Sequence, residues 1–244
     1  MKTMKARQMY SAIVTAAGQG TRFSVTEKKQ FIQLAGKPLL YYSLNILDSL
    51  KEINEIVVTL PPDDMQYPQR IAKYLKTRCR IKFIEGGSTR QESVRNALNV
   101  CDEANEFVLI HDAARPFLCP KELHDMMAQA QIYSPLIPFN FVKNTLTKIT
   151  PKQINTENTE HEIHQVTGTL SRDEIAEVYT PQIFRLSMIK ALHQKAKEID
   201  KSFTDDASIC TYFDEPVYCY KTTSGRLKIT TPDDLNYAEY AMRK

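Results

Sequence analysis

Tyr10-Ser11-Ala12-Ile13-Val14-Thr15 runs into Ala16-Ala17-Gly18-Gln19-Gly20-Thr21-Arg22-Phe23, with Lys28-Lys29-Gln30 soon after. Glycines two residues apart let a turn approach a ligand without Cβ clashes and present backbone N–H groups to an anion. Arg22 and Lys29 add the positive charge that a triphosphate requires. The turn lacks the Gly-Lys-Ser/Thr ending of a Walker A loop, and Phe23 stands where a dinucleotide fingerprint needs its third glycine. A glycine pair after a strand is by itself only a turn. With Arg22 and Lys29 beside it, nucleotide phosphate binding is the stronger reading.

Other polar clusters extend this chemistry. Gly86-Gly87-Ser88-Thr89-Arg90-Gln91-Glu92-Ser93-Val94 reads as a second glycine turn opening a helix, with Ser88 or Thr89 as cap and Gln91 or Glu92 reaching back. Arg90 and Ser93 in its first turn could read a base or ribose. His111-Asp112-Ala113-Ala114-Arg115-Pro116 follows an apolar run, so Asp112 is placed to hold Mg²⁺ that bridges phosphates. Arg115 could pair with Asp112 or bind a second substrate's phosphate. Lys228, between Leu227 and Ile229 in an expected strand, points away from both neighbours and suits charge neutralisation in phosphoryl or nucleotidyl transfer. Thr180-Pro181-Gln182 and Thr204-Asp205-Asp206-Ala207-Ser208 read as turns or caps.

These clusters need a frame. Strands are expected at 10–15, 56–60, 81–84 and 107–110, with helices near 38–50, 64–77, 91–100 and 120–131. This alternation specifies βαβ units and a mostly parallel, helix-covered sheet. Ligands of such sheets sit at the carboxyl ends of the strands, where Gly18, Gly86 and Asp112 all fall. Beyond 138 the pattern breaks. Residues 139–168 form a polar, β-compatible insert, too long for an ordinary internal loop. A helix near 186–198, strands near 216–220 and 227–229, and a helix opened by Thr231-Pro232-Asp233-Asp234 complete the chain.

A chain of 244 residues can bury a full core, and a single domain, 1–244, is expected. The net charge of +3 is small and forms no basic tract, which argues against nucleic acid. No apolar run reaches the length of a membrane span, and residues 1–8 lack the apolar segment of a signal peptide. The five cysteines have no C-x-x-C spacing, as reduced thiols in a cytoplasmic protein would, and His161 and His164 lack the surroundings of a zinc site.

Taken in order, Ala16-Ala17-Gly18-x-Gly20-x-Arg22, Lys29-Gln30, Gly86-Gly87-x-x-Arg90-x-x-Ser93-Val94, His111-Asp112-Ala113-Ala114-Arg115-Pro116, Thr180-Pro181-Gln182, Thr204 to Ser208 and Lys228-Ile229-Thr230-x-Pro232-x-Asp234-Leu235 form a specific set. It resembles the IspD/TarI cytidylyltransferases, which use CTP to activate 2-C-methyl-D-erythritol 4-phosphate or ribitol 5-phosphate. The resemblance spans 12 to 240. It implies a Rossmann-like α/β nucleotidyltransferase fold with a mostly parallel mixed sheet and a projecting β-arm, 139–168, that joins two subunits in a homodimer.

The same resemblance implies residue roles. Ala16, Ala17, Gly18, Gly20, Gly87, Arg90 and Ser93 would line the CTP site. Arg22, Lys29 and Lys228 would be catalytic, and Asp112 would serve Mg²⁺. Arg115, Thr145, Arg172 and Thr180 would bind the acceptor, with Arg172 reaching the partner's site. The chain departs from the family pattern at Lys28, usually proline, at Asn144, usually aspartate, and at Arg226, commonly asparagine. The first expected acceptor is 2-C-methyl-D-erythritol 4-phosphate, for isoprenoid precursor synthesis, with ribitol 5-phosphate as the alternative. A non-catalytic CTP-binding protein is a more distant one.

Overall fold

A computed structural model describes residues 9–18, 32–150, 163–224 and 227–243. Two compact units are present, 1–138 with 179–244, and 139–178. The larger is built on β1 (Tyr10–Thr15), to which short strands β2 (Gln33–Leu34) and β3 (Lys37–Pro38) and helix α1 (Leu39–Ser49) succeed. Then come β4 (Ile53–Leu60), α2 (Tyr67–Ala72), β5 (Arg80–Glu85), α3 (Arg90–Val100), β6 (Phe107–Asp112) and α4 (Pro120–Ala130). Strand β7 (Leu136–Phe141) leaves this unit. The chain returns through β11 (Gln182–Arg185), α5 (Leu186–Glu198), α6 (Asp206–Tyr212), β12 (Tyr218–Lys221) and α7 (Pro232–Met242), while β8 (Thr147–Ile149), β9 (Val166–Thr169) and β10 (Ala176–Val178) belong to the smaller unit.

In the larger unit the sheet runs β7-β11-β6-β1-β4-β5, with β12 also on β7. β1 is parallel to β4 and β6, and β4 to β5, whereas β11 is antiparallel to both β6 and β7. The near-continuous apolar runs of β1, β4 and β6 follow from burial on both faces. Ala12 and Val14 of β1 pack into one cluster with Leu44, Leu47, Met126 and Met127, while Ile13 enters the other with Val94, Leu98, Ile189 and Leu192. Each such side chain contributes about 2 kcal/mol by leaving water. The parallel register sets Thr15 beside Asp112 and Thr59, so the polar residues that end β1, β4 and β6 meet at one edge.

Several expectations shift. Helix α2 covers only 67–72 of the expected 64–77, since Tyr67 and Ile71 are its only buried residues. The expected strand at 227–229 is irregular backbone, because Ile229 N–H bonds to Ala114 O and no ladder continues from it. The Thr204–Ser208 turn is the start of α6, which Asp205 opens with a capping box on Ser208. In the smaller unit, residues 139–141 of β7 pair antiparallel with β10 (Ala176–Val178), and β8 (Thr147–Ile149) pairs with β9 (Val166–Thr169). This unit extends to Val178, beyond the 168 expected for the arm.

Candidate active site

Asp112 is the last residue of β6 and nearly buried. Its Oδ1 receives Arg90 Nε at 3.1 Å, and its Oδ2 receives Lys228 Nζ at 2.8 Å, with Arg115 Nε at 3.6 Å. Burial alone would raise its pKa. The charges of Arg90, Lys228 and Arg115 outweigh that and hold the carboxyl well below the usual carboxylate range. Arg90 stands in the first turn of α3, where the Thr89 hydroxyl accepts Glu92 N–H and the Glu92 carboxylate accepts from Ser88 N–H. Its Nη1 also reaches Asp206 Oδ2 at 2.8 Å, and Asp206 in turn meets His193 Nε2 at 3.0 Å. Burial opposes the Arg90 charge, but Asp206 and Asp112 more than compensate, so its pKa is raised. The Arg90 Nη2 is buried without a hydrogen-bond partner, a donor that a ligand carbonyl could satisfy.

Beneath this cluster lies a directional network. The Thr180 hydroxyl accepts Asp112 N–H at 3.1 Å and meets His111 Nδ1 at 3.0 Å, while His111 Nε2 lies 3.1 Å from Arg115 O. Complete burial depresses the His111 pKa to about 4, so the ring is neutral at pH 7. A neutral ring facing a carbonyl must carry its proton on Nε2, and the network therefore assigns Nδ1 as acceptor of the Thr180 proton. Thr180 and His111 thereby fix the backbone on both sides of the Asp112 carboxylate.

The second glycine turn abuts this cluster. Gly87 N–H donates to Ser93 Oγ at 3.0 Å, and that hydroxyl donates to Thr89 O at 2.9 Å. Ser93 is buried and braces the turn. A Cβ on Gly86 would lie 2.2 Å from the Ala17 Cβ, so only glycine permits this approach of the two turns. Ala16 is buried and bonded through its N–H to Thr59 O at 3.0 Å, while Gly18 is exposed.

The structure thus brings Arg90, Asp112, Arg115, Thr180 and Lys228 into one network, with Gly87 and Ser93 alongside. Gly20, Arg22, Lys28, Lys29 and Arg226 lie outside the described residues. Thr145 and Arg172 belong to the smaller unit, where both are exposed and Arg172 Nη1 donates to Lys143 O at 3.0 Å. Among the described residues, no three His, Cys, Asp or Glu side chains group to hold a metal ion. Asp112 as a single carboxylate fits only an ion that draws its other ligands from phosphates and water, the habit of Mg²⁺. Sequence reasoning gave no role to Asp206, His111 or His193; a second acid beside a capping Asp205 was the available signal for Asp206.

A helix-covered parallel sheet with a basic cluster and glycine turns at its strand ends defines an α/β nucleotidyltransferase. The 4-diphosphocytidyl-2C-methyl-D-erythritol synthase from Anaerococcus prevotii superposes with a TM-score of 0.82 at 25% identity and 97% coverage of both chains. The 2-C-methyl-D-erythritol 4-phosphate cytidylyltransferase of Thermus thermophilus gives 0.75 at 26% identity, covering 97% of this chain and 100% of the other. In sequence, the 2-C-methyl-D-erythritol 4-phosphate cytidylyltransferase of Geobacillus thermodenitrificans is 37% identical over 231 residues, 94% of this chain and 95% of the relative. That of Clostridium novyi is 36% identical over 229 residues, 93% and 94% respectively. The family model for IspD, 2-C-methyl-D-erythritol 4-phosphate cytidylyltransferase, matches residues 10–244. The chain belongs to that family of cytidylyltransferases.

Proposed function

We propose that this protein transfers the cytidylyl group of CTP to 2-C-methyl-D-erythritol 4-phosphate and releases pyrophosphate. The observation that carries the reading is the cluster of Arg90, Arg115 and Lys228 around Asp112 at the carboxyl ends of β1 and β6. An acceptor phosphate oxygen would attack the α-phosphorus in line, forming one P–O bond as the bond to pyrophosphate breaks. Such a transfer needs positioning and charge neutralisation more than covalent help from the protein. Lys228, with Arg22 and Lys29, would neutralise the charge that develops on the α-phosphate. The orphaned Arg90 donor and the Gly86-Gly87 turn suit a pyrimidine edge and ribose. Arg115 and Thr180, with Thr145 and Arg172 of the smaller unit, would serve the acceptor side. Mg²⁺ ligated by Asp112 and the phosphates would supply further neutralisation of the triphosphate.

The reading includes a cytoplasmic homodimer joined through the smaller unit. Exposed apolar side chains there support it: Phe141, Ile149, Ile163, Val166 and Val178 all lie open to solvent. Pairing of two such units would cover them and let each active site borrow Arg172 from its neighbour. The test of function is pyrophosphate release with each nucleotide and each acceptor. Turnover should be seen with CTP and 2-C-methyl-D-erythritol 4-phosphate, and UTP or ribitol 5-phosphate should be poorer by at least about a hundredfold. Equal use of UTP, or preference for ribitol 5-phosphate, would overturn it.

A further inference from the structure

Glu122 stands in the first turn of α4 and gathers an unusual number of donors. Its Oε1 accepts Thr223 N–H at 2.9 Å and the Thr223 hydroxyl. Its Oε2 accepts the Thr222 hydroxyl at 2.7 Å, Ser224 N–H at 3.1 Å and the Ser224 hydroxyl at 2.5 Å. Every donor comes from three consecutive residues. Burial would raise the carboxyl pKa, but the hydroxyl and amide donors, led by Ser224, hold it at about 2. It is therefore ionised at neutral pH.

Four residues beyond Ser224 comes Lys228. On its far side Asp234 Oδ2 accepts Thr230 N–H at 2.8 Å, the Thr230 hydroxyl at 2.7 Å and Thr231 N–H at 2.8 Å. Residues 227–230 have no ladder of their own, and the bond from Ile229 N–H to Ala114 O, 2.8 Å, is their one backbone tie to β6's continuation among the bonds described. Backbone without a ladder takes its position from whatever satisfies the groups around it. Here two carboxylates bracket the segment that delivers the lysine.

The upstream clasp has a further property. Asp112, which receives the Lys228 ammonium, ends β6, and Glu122 opens the helix that follows, whose Leu123, Met126, Met127 and Ala130 are buried against the core. The acceptor of the lysine and the anchor of its segment thus sit on one stretch of chain seated on the sheet. We infer that Glu122 is a positioning residue for the transfer reaction, acting through Lys228 by fixing residues 222–224 relative to Asp112. The inference rests on the reading that Lys228 acts on the substrate phosphates.

The experiment is a double-mutant cycle of Glu122→Gln and Lys228→Ala, read as kcat and KM for CTP by pyrophosphate release. Glutamine keeps the size of the side chain but turns an amide donor toward hydroxyls and N–H groups. Glu122→Gln should lower kcat about tenfold and leave KM for CTP within about twofold, yet add less than about twofold to the loss already caused by Lys228→Ala. Ser224→Ala, which removes one donor and keeps the rest, should give a smaller loss of the same kind. Without substrate, amide exchange at Ile229 should quicken in Glu122→Gln. Unchanged kcat, or a loss that multiplies fully with that of Lys228→Ala, would overturn the link to Glu122. Wild-type turnover by Lys228→Ala would instead overturn the role of Lys228 itself, and the exchange at Ile229 would still report whether Glu122 anchors the segment.

Discussion

The two units of this chain solve opposite problems. At the strand ends of the larger unit, two carboxylates are buried and each has cationic or hydrogen-bonding partners: Asp112 in Arg90, Arg115 and Lys228, and Asp206 in Arg90 and His193. In the smaller unit, apolar groups are exposed, with Val166 at 62%, Ile149 at 52% and Phe141 at 50% of full accessibility. Isolated buried charge is far costlier than exposed hydrocarbon. The larger unit therefore has to complete its electrostatics within its own fold. The smaller can leave its surface open until another surface covers it. The comparison teaches that the charges around Asp112 are set by folding, while the exposed apolar groups of 139–178 are what the proposed dimer would cover.

Asp112→Asn gives the sharpest break in that comparison. It removes the one negative charge that Arg90, Arg115 and Lys228 share, leaving Arg90 only its pair with Asp206 and taking from Arg115 and Lys228 the carboxylate they meet. We expect kcat for cytidylyl transfer to fall about a thousandfold and the unfolding free energy, from denaturant titration, to fall by about 3 kcal/mol. Near-normal turnover would show that the cluster does not organise the reaction.

His111 offers a second, somewhat smaller effect. Its folded pKa lies at about 4, below the ordinary 6.5 that it regains on unfolding. The contribution is fully present above pH 6.5 and is lost as pH falls toward 4, because the unfolded chain binds the proton first. The loss is on the order of 3 kcal/mol over that window. Urea titrations at stepped pH should show it, and His111→Gln should flatten the slope between pH 6.5 and 4. An equal slope in both proteins would mean that His111 is not held neutral.

The smallest expected effect tests the other unit. Phe141→Ser combined with Val166→Ser removes two exposed apolar groups without touching the charged cluster. Sedimentation should show the dissociation constant of the proposed dimer raised roughly tenfold to a hundredfold, from about 2 kcal/mol of lost burial. Unaltered association, or none in the parent protein, would overturn the proposed dimer through this unit.

Much of this organisation is readable in the residues. β1, β4 and β6 announce themselves because burial on both faces demands near-continuous apolar runs, β5 shows the alternation of a half-buried edge strand, and the clusters at their ends follow from strand direction. Helix α3 is equally plain, since Thr89 and Glu92 carry its cap chemistry. The segment around Lys228 misleads for a physical reason. Leu227 and Ile229 alternate about a lysine as a strand would, but the backbone there is held by Ala114 O and flanking carboxylates, which pattern alone does not encode. Asp206 is concealed in the same way: Arg90 lies 116 residues away and His193, 13 residues away, sits on a different helix, so only folding brings them together. Helix α6 is short, and its Ser, Cys and Thr residues carry little helical signal.

Gly86 has a mechanical consequence. With no Cβ there, the Ala17 side chain occupies the space that one would fill, and Gly86 N–H is bonded to Leu60 O at 2.8 Å, so the two turns are geared like meshed teeth. A side chain at Gly86 would therefore have to push Ala17 aside. Since α3 begins at Arg90, four residues beyond Gly86, the end of β1 is tied through this one contact to the helix that carries Arg90.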